Sequence, residues 1–129
     1  MFCFEKSNIQ YQTGLEEADM AYDEALADRI HQLLSRRAGY SQRKMFGGIC
    51  FLLNGNMCCG VTGTNLMLRL GEKNAAQALQ EPFTHEMDFT GKVMKSMIYV
   101  KAEGTREDID LKEWVNQAVK FVRTLPDKT

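Results

Sequence analysis

Hydrophobic and polar residues follow two rhythms along this chain, and the switches between them outline the elements. From Ala21 to about Arg37 the apolar residues Tyr22, Leu26, Ile30, Leu33 and Leu34 recur every three or four positions, which predicts an amphipathic helix. Asp23, Glu24 and Asp28 sit early in it and Arg36 and Arg37 late, matching the helix dipole, and Gly39 fits a stop. Between Arg43 and Leu70 the rhythm shortens to two. Bends at Gly47-Gly48, Asn54-Gly55 and Gly63-Thr64-Asn65 cut it into strands over Ser41–Phe46, Ile49–Leu53, Met57–Val61 and Asn65–Leu70. Asn-Gly between apolar runs is the strongest local signal for a hairpin.

The longer rhythm returns at Glu72–Gln80, a short alanine-rich helix closed by Pro82. Two more strands, Thr84–Phe89 and Met94–Val100, flank Thr90-Gly91-Lys92. On the second, Met94, Ile98 and Val100 share one parity, and Met97 and Tyr99 the other. Thr105–Thr124 is the clearest helix. Leu111, Trp114, Val115, Ala118, Phe121, Val122 and Leu125 form its inner stripe, while Lys112, Glu113, Asn116, Gln117, Lys120 and Arg123 face water. Thr105 and Asp108 have the spacing of a capping pair, and Pro126 ends the helix. The order α-β-β-β-β-α-β-β-α predicts an α+β fold in two layers: a mostly antiparallel, five- to six-stranded sheet with helices packed on it.

Residues 1–19 carry no stripe. They are expected to be a loose arm, with extended pieces at Phe2–Phe4 or Ile9–Tyr11 and an alternative start at Met20. Residues 20–126 then form a single domain and 127–129 a tail. Both faces of the expected sheet are rather apolar, which suits either helices on one side and a partner, including a second copy, on the other, or one apolar core face with stray methionines opposite it. Met45, Met57, Met67, Met87, Met94 and Met97 all fall on sheet strands, where methionine serves either as core filler or as an adaptable contact surface.

Composition narrows the function. With 129 residues, 44% hydrophobic and 26% charged, the chain can bury a core without a metal or disulfide. A net charge of −1 and a pI near 6.1 give no overall pull toward nucleic acid or anionic lipid. The N-terminus lacks the features of an export signal and no apolar run is long enough to span a bilayer, so the expected compartment is the cytoplasm, with Cys3, Cys50, Cys58 and Cys59 reduced.

No motif completes a chemistry. Gly47-Gly48 leads into a strand rather than a helix and lacks the Lys-Ser/Thr of a phosphate loop, so the two glycines read as a sharp turn or bulge. Cys58-Cys59 is not a CxxC, and strand alternation turns the two thiols to opposite faces. A two-residue Asn54-Gly55 turn would set Cys50 opposite Cys59, close enough for an oxidisable pair, against the plainer reading of two small buried residues. His31 lies beside its helix stripe. His85 points away from Glu86 and Asp88, so these three do not converge. Basic residues cluster at Arg36, Arg37, Arg43 and Lys44 and again at Lys92, Lys95 and Lys101, without the interleaved aromatics of a single-strand platform. No catalytic residue, metal site or cofactor is predicted.

The run Arg43-Lys-Met-Phe-Gly-Gly resembles the hallmark of the TfoX/Sxy N-terminal domain family. The likeness continues through Asn54-Gly55, Leu66-Met-Leu-Arg-Leu, Glu81-Pro-Phe-Thr, Met94–Val100 and Trp114–Pro126, roughly residues 20–126. The resemblance implies three helices on an antiparallel sheet and a homodimer. Members with an added C-terminal domain regulate natural competence together with the cyclic-AMP receptor protein at promoters. With the last helix ending just before Thr129, the expectation is a stand-alone N-terminal domain, to which the competence role does not carry over automatically. The family brings no catalytic residues. Arg43, Met45, Phe46, Gly47 and Gly48 match its motif and mark an expected interaction corner. The leading expectation is a non-enzymatic regulatory or protein-interaction module with a partner in the transcription machinery. The alternatives are a thiol-redox or small-molecule protein using Cys50 and Cys59 or a pocket near Arg43, and weak direct DNA binding.

Overall fold

The computed structural model describes residues 22–45, 47–89 and 91–128. The arm 1–19, with its extended pieces, the alternative start at Met20, and Phe46 of the motif lie outside the described residues.

Helix α1 (Glu24–Leu34) opens at Asp23, whose carboxylate accepts from the backbone N–H groups of Ala25 and Leu26. The helix closes at Leu34, three residues short of the expected end, and Gly39 instead leads the chain into the sheet. Four strands follow: β1 (Tyr40–Met45), β2 (Gly48–Leu53), β3 (Asn56–Thr62) and β4 (Asn65–Arg69). After helix α2 (Glu72–Ala78) come β5 (Thr84–Phe89), β6 (Lys92–Val100), a 3-10 turn (Ala102–Thr105) and helix α3 (Asp108–Val122). The strands form one antiparallel six-stranded sheet in the order β1-β2-β3-β4-β6-β5, so the expected fold class and element order hold.

Asn54 and Gly55 both have positive φ, 54° and 81°, which makes the β2–β3 connection the right-twisted two-residue turn that Asn-Gly favours. The chain's end lies over this turn. Lys128 N–H donates to the Asn54 carbonyl (2.8 Å), and the buried Asn56 amide donates to the Pro126 carbonyl (2.8 Å).

The three described helices pack on one face. Leu26, Ile30 and Leu34 of α1, Ala75 and Ala78 of α2, and Leu111, Val115, Ala118 and Val122 of α3 join Phe51, Leu53, Val61, Leu66, Leu68, Ile98 and Val100 in the main core. Helix α3 is not capped by Thr105. That hydroxyl turns back to the Ala102 carbonyl within the 3-10 turn, and the helix starts at Asp108. Arg29 of α1 fastens this start: its guanidinium meets Asp108 Oδ1 (2.9 and 3.1 Å) and donates to the Thr105 carbonyl (2.7 Å). No helix among the described residues is long and apolar enough to cross a membrane.

Candidate functional site

The Arg43–Gly48 corner is the turn from β1 to β2. Arg43 and Lys44 are exposed on β1, an edge strand, and their charges discourage further strand addition there. Met45 pairs with Gly48 across the turn and leans onto the sheet face away from the helices. Gly47 adopts a φ of 72°, a left-handed conformation that any side chain strains. Gly48 is needed for space: a Cβ there would run into the Val61 carbonyl of β3. The two glycines of the motif therefore have one conformational and one steric reason.

The face away from the helices has its own composition. Cys50, Leu52, Met57, Met67, Met87 and Met97 are buried there, with Met45, Met94 and Tyr99 half-buried around them. Every methionine singled out on the sheet thus lies on this one face. Strict alternation would have turned Met94 to the helix side. The β5–β6 ladder, however, steps from Glu86↔Ile98 to Met87↔Met94, leaving residues 95–97 of β6 unmatched and rotating Met94 round to join Met97 and Tyr99. Within the skipped stretch the Ser96 carbonyl accepts from the Leu70 and Gly71 N–H groups instead.

The expected opposition of Cys50 and Cys59 does not form. The Asn54-Gly55 turn does pair Leu53 with Asn56 and Leu52 with Met57, but Cys58 is then an extra residue, so Phe51 opposes Cys59 and Cys50 opposes Gly60. This bulge has two consequences. It leaves Cys50 on the methionine face and Cys59 in the helix-side core, with the sheet between them. It also turns the neighbours Cys58 and Cys59 into the same core, against the expectation that they diverge. Burial pushes the Cys50 thiol up to about 11. A hydrogen bond with Cys58, followed by burial, holds Cys59 well above the ordinary value as well. All three are free and buried, and with their raised pKa values Cys50 and Cys59 are the opposite of the low-pKa, accessible thiol that redox chemistry uses.

The histidines are structural neighbours of tyrosines. His31 Nδ1 lies 2.6 Å from the Tyr40 hydroxyl, to which Gln42 Nε2 also donates (2.8 Å). Burial raises the Tyr40 pKa, and the Gln42 bond partly offsets the rise. His85 sits over Tyr99, centroids 5.1 Å apart, while Glu86 and Asp88 are exposed. Among the described residues no group of three or more His, Cys, Asp or Glu is placed to hold a metal.

Two cavities border α3, and Arg43 lines neither. The larger, about 640 Å³, runs between α2, the loop after it and the first half of α3. Phe83 stands in its wall with φ at 66° and about half its surface exposed, held by the bond from Lys101 N–H to its carbonyl (2.7 Å). Trp114, expected in the buried stripe, is half-buried and forms part of the same lining. Sequence spacing hid this groove because its walls come from two segments that meet only in the fold. The one local hint was an aromatic directly after Pro82.

Comparisons with the curated proteins and with the solved structures found no match to this chain. A comparison with protein-family models did: the TfoX N-terminal domain matches residues 32–122, from within α1 to the last residue of α3, and includes the Arg43–Gly48 corner. The chain belongs to the TfoX N-terminal domain family.

Proposed function

We propose that the protein is a non-enzymatic regulatory module of the cytoplasm that works by protein contact, in the manner of the N-terminal part of competence regulators. Its contact surface is the rim of the methionine face beside the motif corner, and its first partner is a second copy of itself. The observation that carries this reading is the convergence of six methionines, from five of the six strands, on the one sheet face without a described helix. Methionine has three rotatable bonds and a polarisable sulfur, so a surface of this kind adapts to a partner. Met67 and Met87 lie too deep to be touched first. Met45, Met94 and Tyr99, which are half-buried, are the groups a partner meets.

Methyl-labelled methionine provides the test. On raising the protein concentration, the Met45 and Met94 methyl signals shift while the solution mass rises to twice that of the 14.7 kDa chain. A constant monomer mass with unmoved methyl signals refutes the self-association. For the regulatory part, the protein added to a cyclic-AMP receptor protein–promoter complex should give a slower-migrating species. No such species at low salt removes that partner, and binding to bare promoter DNA that weakens steeply with salt favours direct DNA contact instead. A thiol-redox role has less support, since Cys50 and Cys59 lie on opposite sides of the sheet with raised pKa values.

A further inference from the structure

We infer that the groove between α2 and α3 is a binding site for a guanidinium group, taken from an arginine side chain of a peptide or from a free alkylguanidine. Three observations converge on that chemistry. The groove is concave and about 640 Å³, in the range of small-ligand sites and large enough for an arginine with its flanking backbone. Two aromatic rings, Phe83 and Trp114, line it. Its charge is of one sign: Glu81, Asp110 and Glu113 contribute carboxylates and no lysine, arginine or histidine lines it.

The sequence builds this arrangement from helical spacing. Asp110, Glu113, Trp114 and Gln117 fall at i, i+3, i+4 and i+7, so α3 presents two carboxylates, an indole and an amide along one side. Glu81 and Phe83 face them from the loop after α2, which the Thr84 hydroxyl ties by bonds to the Ala78 (3.1 Å) and Glu81 (2.8 Å) carbonyls. Like charges at i and i+3 on a helix repel, and none of the three carboxylates is in an ion pair among the described residues. A cation entering here relieves that repulsion.

Guanidinium suits the groove better than ammonium. It is planar, stacks on aromatic faces, sheds water more readily, and offers five N–H donors in a fork that matches carboxylates and amide oxygens. Ammonium is a strongly hydrated point charge with no planar face to stack on the rings. The groove lies on the helix layer, so the inference stands apart from the methionine-face reading.

Trp114 is the only tryptophan in the chain, so its fluorescence reports this groove alone. The full chain is titrated with N-acetyl-arginine methylamide, with the citrulline and lysine analogues, and with a short peptide carrying one arginine. Amide chemical shifts of Glu81, Phe83 and Thr84 and of residues 110–117 provide a second readout. The arginine compound should give a saturable change, with citrulline giving none and lysine binding more weakly. Asp110→Asn with Glu113→Gln, both at exposed positions, should weaken binding by at least about tenfold. Tighter binding of the peptide identifies a presented side chain as the ligand, and equal affinity identifies the free guanidine. A flat response in both readouts, an equal response to citrulline, or an unchanged response in the double variant overturns the proposal.

Discussion

Toward the helices the sheet presents Phe51, Leu53, Val61, Leu66, Leu68, Ile98 and Val100; away from them it presents Cys50, Leu52 and a set of methionines. Both sides are buried, yet their chemistry differs. Branched aliphatic side chains have few rotamers and interlock with α1, α2 and α3, so that side fixes where the helices lie. Thioether chains bend at little cost, so the other side tolerates changes of shape. One sheet thus has a side of branched aliphatic chains that positions the helices and a side dominated by thioethers.

Substitution at neighbouring positions of β4 is the most direct way to break this contrast. Leu68 and Met67 are both fully buried, one on each side. Leu68→Ala should cost about 3 kcal/mol in urea unfolding, through lost burial and an uncollapsed cavity. Met67→Ala should cost less, about 2 kcal/mol, because the neighbouring thioether chains can move into the space it leaves. Equal losses would mean that the two sides are equally rigid.

The motif corner joins the sides and sharpens the comparison. Gly48→Ala drives a Cβ into the Val61 carbonyl, a backbone atom that cannot swing away, and should cost about 2 kcal/mol. Gly47→Ala meets no neighbouring atom and incurs only the left-handed φ, about 1 kcal/mol. If Gly47→Ala proves the more damaging, the corner is governed by turn conformation rather than by packing on β3.

Buried thiols on both sides make stability fall in alkali. Cys50, with its pKa raised from 9.0 to about 11, keeps its proton longer folded than unfolded. Its contribution is complete below about pH 9, the ordinary value, and is lost as pH rises through about 11. Cys59 acts in the same direction from the helix side. Urea midpoints measured at pH 8 and pH 10 should show the decline, at most about 1.4 kcal/mol per pH unit for each thiol. Cys50→Ala should reduce that decline without abolishing it. A midpoint unchanged in alkali would show that the thiols are wetter than their packing indicates.

The smallest effect lies outside both cores, at the clamp between α1 and α3. Asp108→Ala removes an ion pair whose carboxylate is 93% exposed, and should cost well under about 1 kcal/mol. Arg29→Ala should cost somewhat more, because the Thr105 carbonyl also loses its donor. Thermal melts of the two variants compare them directly.

Where local chemistry is decisive, the sequence reveals the structure. Asn54-Gly55 announces its turn because few other pairs accept positive φ twice, and the stripe Leu111, Val115, Ala118, Val122 announces a helix through its spacing. Two irregular places escape the same reasoning. A two-residue period cannot anticipate the extra residue at Cys58 or the skipped stretch before Ile98, and each reassigns a side chain: Cys58 into the helix-side core, Met94 out of it. The first error made Cys50 and Cys59 look like partners; the second hid the completeness of the methionine face. The groove escapes for another reason. Phe83 and Trp114 are brought together by the packing of α2 and α3 on the sheet, which no spacing within either segment encodes.

The strand order also has a kinetic consequence. From β1 to β4 each strand pairs with its successor through a tight turn, so these closures are cheap and each can form early. The β4–β6 seam, Leu66↔Val100 to Arg69↔Met97, closes a much longer loop, which carries α2 and β5, so its closure entropy exceeds that of any of these hairpins. That seam is therefore expected to form after the hairpins. Until it closes, the outer edge of β4 offers unpaired backbone groups to any strand that arrives first, including β6 of another molecule, so β4 is the place where two copies of this chain would first misassemble.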